Sequence, residues 1–81
     1  IDDISRNVIK DFISEYEKLN SISRETLEPV IKSLIGKHKT NFKGVGQPLR
    51  IALVGSRFGP GLFEVILSLD KSEVLNRLKK I

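Results

Sequence analysis

The stretch that decides the fold is Pro48–Ile81, PLRIALVGSRFGPGLFEVILSLDKSEVLNRLKKI, in which glycine, proline and aspartate separate three apolar segments. Gly55 follows the first segment as the kind of residue that commonly ends a helix. Gly59, Pro60 and Gly61 then remove side chains from both sides of a proline before Leu62 opens the next helix. Such a corner exposes backbone N–H groups at a helix start, where acceptor-rich or anionic ligands bind.

The first half of the chain has the spacing of two amphipathic helices. From about Ser5 to Leu19, apolar residues recur every three or four positions. The second helix carries one apolar stripe formed by Leu27, Val30, Ile31, Leu34 and Ile35. Ser23 is a candidate N-cap for this helix. A start nearer Thr26 is favoured, because it would place Pro29 in the first turn, where proline is tolerated.

The segment from Gly36 to Gly46 is polar, basic and glycine-containing, which indicates a helix end and a loop with Phe42 turned inward. A third helix is expected from about Gln47 to Val54, and a fourth from about Leu62 to Leu69. The fourth is too apolar for a surface helix, so its apolar side chains should form the core. Asp70 and Glu73 have the spacing of a capping box that opens a fifth helix. The sequence therefore predicts an all-α fold, a small compact bundle of about five helices.

Composition limits what the chain can do. With 81 residues, 40% of them hydrophobic, residues 1–81 can form a single small domain but not a deep catalytic cleft. The first residue is Ile1, so we expect the chain to be an excised piece of a longer protein. The sequence has no cysteine, which permits a reducing compartment, and no apolar run of the kind found in a membrane span or signal peptide, so we expect a soluble protein without a metal site.

The charge is unevenly distributed along the chain. Residues 1–31 carry four basic and seven acidic side chains, a net −3, whereas residues 32–81 carry ten and three, a net +7. Between Glu28 and Glu64 there is no carboxylate, and the basic residues in this interval are Lys32, Lys37, Lys39, Lys43, Arg50 and Arg57. A solvated surface would explain such lysines, but their separation from acidic residues favours a polyanionic partner such as RNA.

Two residues near the corner could contact RNA directly. Arg50 is a fixed charge in a mostly apolar helix, suited to phosphates or base edges, although it could instead pair with Glu64 or Glu73. Phe58 could stack on an unpaired base, or it could anchor its loop to the core. By contrast, Arg77 lies between Leu75 and Leu78, which favours a structural salt bridge or helix cap.

The last 34 residues resemble the C-terminal anticodon-binding domain of bacterial-type glutamyl-tRNA synthetases. The pattern is proline-leucine-arginine at residues 48–50, alanine-leucine-x-glycine at 52–55, proline-x-leucine at 60–62 and E-V-L-x-R-L at 73–78. The first half matches this family by helical pattern alone.

The resemblance implies a division of labour in a larger enzyme. The family's catalytic body uses ATP to attach glutamate to tRNA, while this domain binds the tRNA anticodon loop. Arg50, Gly59, Pro60 and Leu62 match positions that contact the first two anticodon bases. Lys37, Lys39, Lys43, Arg57 and Phe58 are further candidates for backbone contact or stacking. The fragment itself is expected to have no catalytic residues and no cofactor.

Other functions are less well supported by the residues. The single histidine, His38, lies between two lysines and is interpreted as a solvent-facing residue near a helix end. The glycines of 44–46 lack the rest of a dinucleotide fingerprint. One alternative is a helical protein-protein interaction module with a basic face, in which Leu62 and Phe63 would be exposed anchors. Another is a DNA-binding helix-turn-helix, for which the proline and glycines of the turn are awkward.

Overall fold

The predicted all-α architecture is confirmed by a computed structural model, which describes residues 2–56 and 61–81. Within these residues there are five helices and no strand. They are α1 (Asp3–Glu17), α2 (Arg24–Lys37), α3 (Phe42–Val54), α4 (Leu62–Ser68) and α5 (Lys71–Lys79). None of the helices in this part of the chain has the length and apolar character to cross a membrane.

Helices α1 and α2 each begin at a capping side chain. Asp2 accepts a hydrogen bond from the backbone N–H of Ser5 at 2.8 Å, so α1 starts two residues before its predicted position. Ser23 caps α2 and exchanges hydrogen bonds with Thr26 in a capping box. The prediction that α2 starts near Thr26 was therefore wrong, and Pro29 lies inside the helix.

Helix α3 begins at Phe42, five residues before the predicted start at Gln47. Asn41 is the N-cap, and its side chain accepts a hydrogen bond from the N–H of Gly44 at 2.9 Å. Phe42 is 47% exposed, so the expectation that it turns inward from a loop was also wrong. Gly55 ends the helix at φ 73°, the left-handed conformation expected of a terminating glycine.

Helices α4 and α5 lie close to their predicted positions. Leu62, Val65 and Ile66 are buried, but Leu67 is 45% exposed, so only part of the apolar run of α4 enters the core. Asp70 is the N-cap residue of α5, although its side chain makes no capping hydrogen bond. The predicted helix start is thus correct, whereas the capping box is not formed.

All five helices bury apolar side chains in one core, and α3 packs against each of the other four. The buried apolar residues of α1, in order, are Val8, Ile9, Phe12 and Tyr16, and those of α3 are Val45, Leu49 and Leu53. Helix α3 therefore occupies the centre of the bundle, and its remaining exposed face is held in place from several sides.

Helix α5 stabilises the ends of two other helices with cationic side chains. Lys71 donates to the carbonyls of Glu17 and Leu19 at 3.1 and 2.8 Å, just past the end of α1. Arg77 donates to the carbonyl of Leu53 at 2.7 Å and pairs with Glu73. The predicted structural role of Arg77 is confirmed, since cations near a helix C-terminus satisfy its unpaired carbonyls.

Candidate nucleic-acid interface

A surface cleft of about 300 Å³ lies between the exposed face of α3 and the start of α4. Its lining residues are Phe42, Lys43, Gly46, Gln47, Arg50, Gly61 and Leu62. Lys43, Gln47 and Arg50 recur at helical spacing on α3, so they form one wall, and the first residues of α4 form the other. The cleft brings together three predicted site residues, Lys43, Arg50 and Leu62.

Arg50 lines this cleft with donors that no group in residues 2–56 and 61–81 satisfies. Its Nε and Nη2 atoms are buried and have no hydrogen-bond partner in the part of the chain that the structure describes. The expected alternative, an ion pair with Glu64 or Glu73, is not formed, and Glu73 pairs instead with Arg77 at 2.7 Å. Since an unpaired buried donor costs free energy, an acceptor supplied by a ligand would be stabilising here.

Leu62 gives the cleft an apolar wall. It is 2% exposed and belongs to the core, so its position is fixed by packing. Phe63 is partly buried against the same core. The pair therefore does not form the exposed anchors that the protein-interaction alternative requires.

Four of the predicted site residues cannot be placed. Arg57, Phe58, Gly59 and Pro60 lie outside the described residues, and their proposed contacts stay predictions. The described chain resumes at Gly61, which precedes α4 and makes no side-chain capping bond.

The lysines of the carboxylate-free segment differ in their partners. Lys37 pairs with Asp11 of α1 at 3.2 Å. Among the described residues, Lys32, Lys39 and Lys43 are exposed and make no ion pair. Lys43 lines the cleft, so of the predicted backbone-contacting lysines it is the one nearest to Arg50 in the fold.

His38 is not the solvent-facing residue that the sequence suggested. Its side chain is 14% exposed, and Nε2 lies 2.8 Å from Oδ2 of Asp11. Partial burial alone would raise the pKa of Asp11, but the hydrogen bonds from Lys37 and His38 outweigh it and hold this pKa below its ordinary value. The interaction joins the end of α2 to α1, so His38 has a structural role. Its position between two lysines in the sequence gave no indication of this role.

Three lining residues were missed by the sequence analysis: Phe42, Gly46 and Gln47. Assigning residues 36–46 to a loop hid the first turn of α3. Asn41 as an N-cap, followed by Phe42, Val45 and Leu49 at helical spacing, is the signal that could have revealed it.

Comparison with known proteins agrees with this geometry. A family model described as an anticodon binding domain matches residues 1–81. The chain belongs to this family. A glutamate-tRNA ligase of Pelagibacter ubique is 55% identical over 78 residues, which are 96% of this chain and 17% of that protein. A glutamate-tRNA ligase of Syntrophobacter fumaroxidans is 37% identical over 73 residues, or 90% of this chain and 16% of that protein.

This anticodon-binding domain thus corresponds to a small part of its relatives. The similarity to the Methylacidiphilum infernorum glutamate-tRNA ligase covers the whole chain at 32% identity, yet it spans 18% of that protein. The chain therefore spans about a sixth of the length of the curated relatives it matches.

Proposed function

We propose that this chain reads the anticodon loop of a glutamate tRNA. The observation that carries the proposal is the unpaired guanidinium of Arg50 beside the cleft between α3 and α4. Sequence-specific RNA recognition commonly uses unstacked bases that enter such clefts. Arg50 would donate to the acceptor edge of a base or to a phosphate, and burial would make each such hydrogen bond stronger than in water.

Each remaining site residue has a role in this proposal. The small exposed part of Leu62 would form the apolar end of the cleft that receives the unstacked base, and Gly59 and Pro60 would offer backbone at the corner that precedes it. The phosphates would be contacted by Lys39, Lys43 and Arg57. Lys37 would also contact a phosphate and would keep its ion pair with Asp11. Phe58 would stack on a base.

The proposal extends to the protein from which the chain derives. We infer a cytoplasmic, monomeric glutamate-tRNA ligase whose ATP-dependent chemistry takes place outside these residues. In that protein, the domain at 1–81 would select the tRNA and would require no metal or cofactor of its own.

The test is an NMR titration of the labelled chain with a glutamate-tRNA anticodon stem-loop, beside a stem-loop with its first two anticodon bases replaced. We expect shifts centred on Arg50, residues 59–60 and Leu62 with the first RNA, which are lost with the second. If only the lysine signals shift, and shift equally with both RNAs, the domain is a nonspecific polyanion binder. No shifts would contradict RNA binding.

A substitution pair separates charge from geometry at Arg50. Arg50→Lys keeps the charge but loses the planar donor fork, whereas Arg50→Gln keeps a polar end without the charge. If Arg50 reads a base edge with two donors, both variants should lose discrimination between the two stem-loops, whereas a phosphate contact would weaken binding to both equally. Retained discrimination in Arg50→Lys would assign Arg50 to charge alone.

A further inference from the structure

Phe42 separates two depressions on the molecular surface. On one side it lines the cleft of Arg50. On the other side it lines a groove of about 330 Å³, whose other lining residues are Glu28, Ile31, Lys32, Ile35 and Phe63. Phe42 is 47% exposed, although phenylalanine is among the residues most often buried.

The ring of Phe42 is supported from beneath. A Cβ atom at Gly46 would lie 3.4 Å from Cε1 of Phe42, so the ring rests against helix backbone that carries no side chain. The ring of Phe63 lies beside it, with centroids 6.1 Å apart and planes inclined by 47°. These contacts hold the ring in place, and with 47% of the residue exposed, part of its surface remains accessible to a ligand.

The surroundings of Phe42 are cationic. Lys43 follows it on α3, and Lys32 lies across the groove. The acidic residue of the groove, Glu28, is paired with Arg24 at 3.0 Å, and the Arg24 guanidinium also lies 4.8 Å from the centroid of the Phe63 ring. An exposed aromatic ring between unpaired lysines matches the combination by which proteins hold single-stranded nucleic acid.

We propose that Phe42 stacks on an unpaired RNA base next to the one that enters the Arg50 cleft, with Lys32 and Lys43 contacting the phosphates on either side. This inference rests on the proposed function and extends its surface from the cleft across Phe42 into the neighbouring groove. Continuity with the cleft and the cationic rim favour RNA over an apolar protein partner, for which the lysines would be poor neighbours.

A fluorescent reporter can test the stacking directly. The chain contains no tryptophan, so Phe42→Trp introduces a single one at this position. We expect its emission to be quenched when the anticodon stem-loop is added at low salt. Leu67→Trp is the matched control, because Leu67 is 45% exposed and lines neither depression. Its emission should not change.

Affinity gives the second measurement. Phe42→Leu keeps apolar contact but removes the aromatic face, and we expect the stem-loop to bind about 5- to 100-fold more weakly. Phe42→Tyr keeps the ring and should bind as the unmodified chain does. Circular dichroism of each variant would verify that the helices are retained.

The outcomes distinguish this inference from the function on which it rests. If the unmodified chain discriminates between the two stem-loops while Phe42→Trp is not quenched and Phe42→Leu binds normally, stacking at Phe42 is excluded and anticodon reading stands. If the unmodified chain does not discriminate, the proposed function fails. Self-association that Phe42→Leu abolishes, without any effect on RNA binding, would assign Phe42 to a protein contact and overturn the inference.

Discussion

Two partly buried arginines in this chain have opposite hydrogen-bonding states. Arg77 donates to the carbonyl of Leu53 and to Glu73, each at 2.7 Å. Arg50 has two buried nitrogens that find no partner among the described residues. We therefore predict that Arg77 stabilises the fold and that Arg50 lowers its stability, because buried donors stabilise a protein only when they are satisfied.

We therefore expect Arg77→Leu to lower the free energy of unfolding by about 1–3 kcal/mol, since it removes a charged hydrogen bond and leaves a carbonyl of α3 unpaired. Arg50→Leu should leave the stability unchanged or raise it by up to about 1 kcal/mol, because it removes unsatisfied buried donors. Urea denaturation of the two variants would check this. An equal loss in both would mean that Arg50 has a structural partner.

Gly44 and Gly46 lie one residue apart in α3 but have different surroundings. A Cβ at Gly44 would overlap Oγ1 of Thr40 and lie 2.9 Å from its Cβ. A Cβ at Gly46 would meet Phe42 at 3.4 Å and Leu62 at 3.7 Å, which are ordinary contacts. Gly44→Ala should therefore lower the free energy of unfolding by about 1–2 kcal/mol through overpacking. Gly46→Ala should raise it by up to about 1 kcal/mol through helix propensity.

Thermal unfolding of the two alanine variants measures this difference, and each serves as the control for the other. Similar shifts in both would mean that Thr40 moves away at little cost. Because Gly46 also lines the cleft of Arg50, a methyl group there would narrow the cleft, and the Gly46→Ala variant should bind the anticodon stem-loop more weakly despite its greater stability. At position 46 we thus expect alanine to give the more stable protein and glycine to give the tighter RNA binding.

At the level of elements, Asp11 connects α1 to the end of α2. Its carboxylate meets His38 at 2.8 Å and Lys37 at 3.2 Å, and these contacts lower the pKa of Asp11 in the folded state despite partial burial. A carboxyl group with a lowered folded-state pKa stabilises the fold above its unfolded pKa and ceases to do so as the pH falls through the folded one. The contribution should therefore be complete well above the ordinary carboxyl pKa of 3.8 and be lost as the pH falls through the lowered folded-state pKa of Asp11.

Asp11→Asn should remove this pH-dependent contribution. We expect it to lower the free energy of unfolding at neutral pH by about 1 kcal/mol and to leave a shallower loss of stability on acidification. Urea denaturation at several pH values would measure both effects. Asp3→Asn is a suitable control, because Asp3 is exposed and makes no ion pair in the described part of the chain. An identical pH profile in both variants would contradict the role of Asp11.

The sequence predicts the limits of α2 and α5 better than those of the central helix α3. Helix α2 has a clear apolar stripe, and α5 follows an aspartate, so both were recognised close to their observed limits. Helix α3 contains two glycines and a proline, which are poor helix formers, and its first turn was mistaken for a loop. Contacts with all four other helices stabilise it, and such tertiary contacts are not visible in local sequence.

The residues of the candidate site, like the limits of the helices, were predictable from the sequence only in part. Arg50 and Leu62 were found because their residue types and motif positions indicate function. Phe42 and Gln47 were not found, since their places in the cleft depend on where α3 begins. His38 was misinterpreted because its partner, Asp11, is 27 positions away in the sequence.

On the scale of the whole molecule, the charge pairs that stabilise the fold and the residues proposed to bind RNA lie largely on different helices. The contacts of α1, α2 and α5 close the core and pair charges, as between Lys79 and Glu17 at 2.7 Å. The unpaired charges near the cleft, Arg50 and Lys43, are on α3, which the other helices surround. The part of the proposed interface that lies on α3 should need little reorganisation on binding, because the other four helices hold this helix in place.

This distribution of charge predicts a local salt dependence of RNA binding. Each phosphate that a lysine contacts in a single-stranded region should add about −0.7 to the slope of log affinity against log salt concentration. Lys43 is unpaired and lines the cleft, so Lys43→Gln should make the slope less steep by about 0.7. Lys80→Gln removes the same charge from an exposed lysine at the end of α5 and should leave the slope unchanged. Equal effects of both substitutions, in titrations from about 50 to 200 mM salt, would mean that the net charge of +4 attracts RNA without a defined path across the surface.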